Sequence, residues 1–313
     1  MKYEQLLSNR TQFLSLTSLE PTEFTHLLTI FTPLWEKYYR YHTTLGKKRK
    51  IVCYQEHKSA LLQSTGQKLF FLLVYLKNNP LQTFHGVAFG VSQPKVSQII
   101  PVLLRIFDQT LKKMGLSPCR DGEVLQSLLS SHPQKVFTYD GMERGIQRNL
   151  DLAAQKEEYS GKKKTHKIKN NLLCDDSQYV HYLSPTVIGT VHDKKIATEY
   201  PILLPLGSVL RQDTGFIGHD PFGIIIERPF KKPIGHELTF SQLIYNQLLS
   251  PMRVVIEHAN SGVKRLKIIK DIVRLHSTQL RDKIMPIAVA LHNFRVVSPL
   301  RKYEPTHVSK IIF

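Results

Sequence analysis

The chain has 313 residues, 43 of them Lys or Arg and 25 Asp or Glu, giving a formal net charge of +18, and 42% of it is hydrophobic. That apolar share excludes a disordered chain and suffices for one large core or two modest ones. The longest apolar stretches, Phe70 to Leu76 and Ile284 to Leu291, fall short of the about 18 residues a membrane span needs, and Met1 to Thr11 lacks a secretory apolar core, so a cytoplasmic protein with no membrane partner is expected. Cys53, Cys119 and Cys174 lack the paired spacing of a disulfide framework or a cysteine zinc site. The charge is spread along the chain: residues 1–130 hold 16 basic and 8 acidic side chains, and residues 131–313 hold 27 and 17. Both halves therefore suit a polyanionic partner, with solvated lysine faces as the competing reading.

Phe24, Leu27, Leu28, Phe31, Leu34 and Trp35 recur at three- and four-residue steps, which predicts an amphipathic helix from Pro21 to about Tyr41. After the basic loop Lys47 to Lys50, a second apolar pattern runs from near Gln67 to a stop at Asn78-Asn79-Pro80. Two more helices follow, about Leu81 to Phe89 and Ser92 to Lys113, broken at Gly90-Val91-Ser92, with Ser92 placed to cap the second one. This is a helix-turn-helix outline over about 81–113. In that motif the first side chains of the second helix face base edges, which offers Ser92, Gln93, Lys95, Ser97 and Gln98 to DNA. The same outline also occurs in helical bundles that never touch DNA.

A short helix near Val124 to Leu129 and the break Ser131-His132-Pro133 mark a divide near residue 130. Beyond it the period changes to two: Val136 to Asp140, His166 to Leu173, Tyr179 to Leu183 and Ser208 to Asp213 read as strands. Helical periodicity returns over about Ser241 to Leu266 and Thr278 to Phe294. The expected architecture is an all-helical domain, 1–130, followed by an α/β domain, 131–313. Asp193, after His192, reads as a helix cap, while His192 and the Pro221 to Gly235 stretch carry no assigned role.

Two predicted strands end in acids, Asp140 and Asp213, each followed within two residues by a glycine that would turn the backbone off the strand and leave the carboxylate at the sheet edge. A third acid, Glu257, falls on the long helix. Two like charges about 4 Å apart repel by roughly 4 kcal/mol at an effective dielectric near 20, and a divalent cation turns that repulsion into coordination. Strand-end aspartates also arise without any metal, and spacing leaves both readings open.

The stretches Tyr139-Asp140-Gly141-Met142-Glu143, Tyr159-Ser160-Gly161-Lys162-Lys163-Lys164, Gln212-Asp213-Thr214-Gly215-Phe216 and Arg253 to Lys264 together resemble DDE transposases. They most resemble bacterial insertion-sequence transposases of the insertion-sequence-five kind, whose endonuclease domain is similar to that of Harbinger elements. The segment Thr83 to Ser97 is similar to the helix-turn-helix that precedes the catalytic domain there. The resemblance implies an RNase H-like α/β domain, a mixed sheet with flanking helices, in which Asp140, Asp213 and Glu257 are catalytic and hold two Mg²⁺ or Mn²⁺ ions. It implies double-stranded DNA as partner, both as element ends carrying terminal inverted repeats and as target, a homodimer on that DNA, and a bacterial, nucleoid-associated location. Phosphodiester cleavage would be followed by joining of the 3′-hydroxyls to target. A catalytically silent, transposase-derived DNA-binding regulator is the alternative.

The family signature on the third-acid helix spaces Tyr, Arg, Glu and Lys; Arg253, Glu257 and Lys264 fit it, and Ser250 stands in the tyrosine position. In a regular helix Glu257 lies about 40° and Lys264 about 20° from Arg253, so all three share one face. Arg253 and Lys264 are then expected to hold DNA phosphates, as are Lys162, Lys163 and Lys164. An exposed helix cation paired with a nearby acid is the other reading of Arg253, and a lysine-protected strand edge that of the lysine turn.

Overall fold

A computed structural model describes residues 1–56, 62–132, 135–161, 164–275 and 277–301. Six helices come first: α1 (Tyr3–Leu7), α2 (Arg10–Thr17), α3 (Pro21–Tyr41), α4 (Thr65–Asn78), α5 (Gln82–Phe89) and α6 (Gln93–Lys113). The sheet region follows with α7 (Gly122–Leu129), β1 (Val136–Gly145), α8 (Leu152–Glu158), β2 (Tyr159–Ser160), β3 (Thr165–Asp175), β4 (Val180–Leu183), β5 (Val187–Ile188), α9 (Asp193–Glu199), β6 (Val209–Gln212) and β7 (Ile225–Glu227). The helices α10 (Phe240–Val263), α11 (Lys267–Lys270) and α12 (Thr278–Val297) complete the described chain.

Contacts group the chain into two compact units, Met1–Ser117 with Lys264–Leu291, and Pro118–Val263 with the stretch from His292 onward. The sequence reading divides the chain near residue 130. In the structure α7 goes with the sheet, because Leu125 and Leu129 enter its core, while residues 264–291 go with the helices. Ile268 and Ile269 of α11 are buried, and Lys77 Nζ at the end of α4 donates to the Arg265 carbonyl at 2.9 Å.

In the helical unit α4 is buried on every side from Leu69 to Leu76, so it forms the centre, and α2, α3, α6 and α11 pack around it. A helix that is apolar all round has no solvent face and is stable only in that position. The two helices α5 and α6 meet at 93° across Gly90–Ser92. Val96, Ile99, Ile100, Leu103, Leu104 and Phe107 of α6 face inward, as their spacing predicts. Ser92 occupies the N-cap position of α6 without a side-chain cap bond. Among the described residues no single helix is long and apolar enough to cross a membrane.

The other unit is built on a mixed sheet ordered β2-β3-β1-β6-β7, with β4 and β5 also pairing with β3. The pairing β1–β3 is antiparallel, while β1–β6 and β6–β7 are parallel. Phe137, Tyr139, Leu173, Leu210 and Phe216 pack with α7 and with Ala197 of α9 into one core. Ile256, Ala259 and Val263 are the buried side of the C-terminal half of α10, which packs against β1 and β3. Strand β1 corrects one expectation. It does not stop at Asp140 but runs on to Gly145, paired with β3 as far as Gly145↔Lys167, so Asp140 sits within a central strand and not at the sheet edge.

Candidate active site

The parallel register pairs Tyr139 of β1 with Gln212 of β6. The residue after each is an aspartate, so Asp140 within β1 and Asp213 just past the end of β6 emerge side by side from neighbouring strands, which are about 4.8 Å apart. Asp213 leaves the sheet there, and its Oδ1 accepts the Thr214 N–H at 2.6 Å to start a short 3₁₀ turn. Helix α10 supplies two further contacts: Arg253 Nη2 lies 3.2 Å from Asp213 Oδ1, and Asn260 Nδ2 donates to Asp140 Oδ2 at 3.2 Å. Seven residues make about two turns, so Arg253 and Asn260 share one stripe of the helix. Glu257 is exposed between them on that stripe, one turn from each.

A third aspartate joins the pair. Asp193 is the first residue of α9, and His192, exposed, takes the N-cap position without a side-chain bond, so the expected cap role of Asp193 is not what the structure gives it. Its carboxylate lies over the two motif glycines. A Cβ at Gly141 would stand 2.5 Å from Asp193 Oδ1, and one at Gly215 would stand 3.5 Å from Oδ2. The glycine after Asp140 therefore makes room for a carboxylate and does not end the strand. Lys169 of β3, itself buried, donates to Asp193 Oδ1 at 3.1 Å and lies 3.8 Å from Glu143 Oε1; Lys167 Nζ is 2.8 Å from Glu143 Oε2. The loop beyond Asp213 is anchored by Arg228, which donates to Gln212 Oε1, the His219 carbonyl and Asp220 Oδ1.

Burial pushes the Asp140 carboxyl up to about 6; the Gly141 N–H opposes this, the Asp193 and then the Asp213 carboxylates add to it, and the Arg253 guanidinium opposes it. Carboxylates crowded this way call for a cation. The donor set suits a hard one, since every group offered is an oxygen, and Asn260 Oδ1 is buried beside Asp140 with no hydrogen-bond partner among the described residues. Asp140 and Asp213 thus present oxygens of the kind a hard cation takes, while Glu257 is placed only on the neighbouring stripe of α10, and Asp193 and Asn260 are additions that motif reading missed. Asn260 was within reach of helical arithmetic from Arg253; Asp193 was not, because only the fold brings it to β1.

Residues 139–293 match the family described as DDE superfamily endonuclease, and residues 61–113 match the helix-turn-helix of DDE superfamily endonuclease. The chain belongs to the DDE superfamily of endonucleases. One relative is named as a probable transposase for insertion sequence element IS702, from Microchaete diplosiphon; it is 28% identical over 124 residues, covering 38% of this chain and 43% of the relative. The match thus spans less than half of that relative. No solved structure matches the chain.

The other residues singled out in the sequence fall as follows. Ser92, Gln93, Lys95, Ser97 and Gln98 are all exposed around the start of α6, with Gln93 Nε2 bonded to Gln82 Oε1 at 3.0 Å. Lys164 is exposed in the turn before β3, and Lys162 and Lys163 lie outside the described residues. Lys264 follows the last residue of α10, Val263, and sits in the turn after the helix.

A raised carboxyl has a defined sign in stability. Below about pH 4 Asp140 is protonated in folded and unfolded chains alike; as pH rises toward 6 the folded form alone retains the proton, and stability falls. A shift from 3.8 to about 6 is worth up to about 3 kcal/mol above that window. In metal-free protein, melting temperatures of wild type and Asp140→Asn should therefore diverge between about pH 4 and 6, the variant being the more stable at neutral pH. Mg²⁺ should raise the wild-type melting temperature at neutral pH and lose that effect below about pH 6. Parallel curves for the two proteins across this range would contradict the assignment.

Proposed function

We propose that this chain is a cut-and-paste transposase. Its helix-turn-helix binds the terminal inverted repeats of a mobile element in the bacterial nucleoid, and its sheet unit is an RNase H-like nuclease that cleaves at the element ends and joins their 3′-hydroxyls to target DNA. The observation that carries this reading is the β1–β6 register, which sets Asp140 beside Asp213 with Arg253 and Asn260 of α10 against them. Asp140, Asp213 and Glu257 are the residues to hold two Mg²⁺ or Mn²⁺ ions. Bound there, such ions supply an activated oxygen nucleophile and charge stabilisation for in-line displacement at phosphorus.

The chain's own groups have separate tasks around that centre. Asn260 orients the Asp140 carboxylate. Lys169 offsets the charge of Asp193 and keeps a third aspartate tolerable in a crowded acidic site. Arg253, ion-paired with Asp213, carries a planar fork suited to a DNA phosphate once metal takes over the carboxylate. Lys162, Lys163, Lys164 and Lys264 are proposed as further phosphate contacts. Two element ends and one cleavage centre per chain imply a homodimer on DNA.

The deciding experiment is Mg²⁺-dependent nicking of DNA that carries the element ends. A transposase binds and cuts; a silent regulator, the second reading, binds and leaves the strand intact. The basic surface makes a further prediction. Binding should weaken with salt by about 0.9 log units per log unit of salt for each phosphate contact, and Lys95→Ala at the start of α6 should lower that slope by about one contact, measured by fluorescence anisotropy on repeat DNA. A slope unchanged by Lys95→Ala would remove that lysine from the interface.

A further inference from the structure

Away from the nuclease carboxylates, three other metal-capable side chains converge. His132 precedes β1, Asp175 closes β3 and His181 lies in β4. His181 Nε2 is 2.8 Å and His132 Nε2 3.8 Å from the same oxygen, Asp175 Oδ2, and the three candidate ligand atoms all fall within 4.8 Å of one another. The other carboxylate oxygen is already committed: Asp175 Oδ1 accepts the Ser177 N–H at 2.9 Å, the Ser177 hydroxyl at 2.5 Å and the Tyr179 N–H at 3.1 Å. These bonds orient the carboxylate so that Oδ2 is presented to both imidazoles.

We propose that His132, Asp175 and His181 form a Zn²⁺ site distinct from the nuclease centre, with a fourth position open to water. Tetrahedral zinc with bonds of about 2.0–2.1 Å places its ligand atoms about 3.3 Å apart. The observed 2.8 and 3.8 Å straddle that value and the third separation is within 4.8 Å, so side-chain shifts of up to about 1.5 Å convert the cluster into a coordination set. Exposure is graded across the ligands, from 4% for the Asp175 side chain through 12% for His181 to 24% for His132, which leaves an entry path beside His132. The phenyl ring of Phe137 walls the cluster, 6.0 Å from the His181 ring and 6.3 Å from that of His132.

Donor chemistry separates this site from the first. Two imidazoles and one carboxylate suit zinc, whereas the oxygen-only set at Asp140 suits magnesium or manganese. Register separates them in space as well. Asp175 pairs with Phe137 while Asp140 pairs with Leu172, so the clusters are three residues apart along the sheet, roughly 10 Å. An ion at His132 would tie the approach to β1, the strand bearing Asp140, to the β3–β4 hairpin.

The test is titration of the full, chelator-stripped chain with Zn²⁺ and with Co²⁺ as a spectroscopic probe. In an Asp140→Asn, Asp213→Asn double variant, where the nuclease carboxylates are removed, one equivalent should bind and the Co²⁺ form should show the visible absorption of a tetrahedral site. His132→Ala should weaken binding at least about 100-fold. Absence of binding, affinity unchanged in His132→Ala, or binding lost in the double variant would each overturn the site; the first would leave a His-Asp-His hydrogen-bond cluster. If His132→Ala fails to fold, X-ray absorption of the wild-type zinc form decides, with two imidazole ligands expected and fewer than two refuting the proposal.

Discussion

Asp213→Asn is expected to slow Mg²⁺-dependent cleavage of element-end DNA at least about 1000-fold, about 4 kcal/mol in the barrier, while leaving binding of the same DNA within a few-fold. An amide keeps the shape of the side chain and can still accept the Thr214 N–H that starts the 3₁₀ turn, so the loop after β6 should hold. What disappears is the negative charge that a divalent ion requires. The lost ion pair with Arg253 costs little in stability, because the Asp213 side chain is 46% exposed and such pairs contribute about 0–1 kcal/mol. Asp140→Asn should match the loss of cleavage, yet melt at a higher temperature than wild type in metal-free buffer at neutral pH. The pair of variants thus separates damage to catalysis from damage to the fold. An Asp213→Asn protein that nicks at the wild-type rate would remove this residue from the metal site.

Gly262→Ala should destabilise the sheet unit by about 2–4 kcal/mol, a fall in melting temperature of roughly 5–10 °C. Helix propensity alone favours alanine by about 1 kcal/mol, so the expected sign depends on packing. A Cβ at Gly262 would stand 2.6 Å from His292 Cε1 and closer still to Nδ1. The imidazole has nowhere to go: His292 is buried, and its Nε2 is 2.8 Å from the Gln178 carbonyl oxygen. The glycine backbone is held too, since its carbonyl accepts Arg295 Nη2 at 2.7 Å. Overpacking plus a broken buried hydrogen bond outweighs the propensity gain. Calorimetry on Gly262→Ala and on a Gly262→Ala, His292→Ala pair checks the cause, because removing the imidazole should recover part of the loss; a melting temperature equal to wild type would show that the two helices separate at no cost.

Part of the layout could be read before any coordinates. Periodicity located α3, α4, α5 and α6 to within a few residues, because each must bury an apolar stripe or, for α4, its whole circumference. The acids Asp140 and Asp213 stood out because each lies in a strand-like run followed closely by glycine. The role of those glycines was not legible. Gly141 and Gly215 accommodate Asp193, a residue contributed by a helix that starts 52 positions after Gly141, and no local pattern encodes that encounter. Asn260 was legible in part, since a seven-residue step from Arg253 returns to the same helical face. Lys264 marks the limit of that arithmetic: its spacing assumes a helix that continues, and α10 ends one residue earlier.

Local chemistry therefore settled the longer helices, the main strands, the basic character of both halves and the prominence of Asp140 and Asp213, since hydrophobic period, charge and turn residues act over a few positions. Pairing decided the rest. The parallel alignment of β1 with β6 brings Asp140 and Asp213 together, α10 adds Arg253 and Asn260, and the meeting of His132, Asp175 and His181 exists only once β3 has found its neighbours. Contacts between residues far apart in the chain form when burial of the shared core offsets the entropy of closing long loops, and that balance belongs to the whole fold rather than to any segment of it.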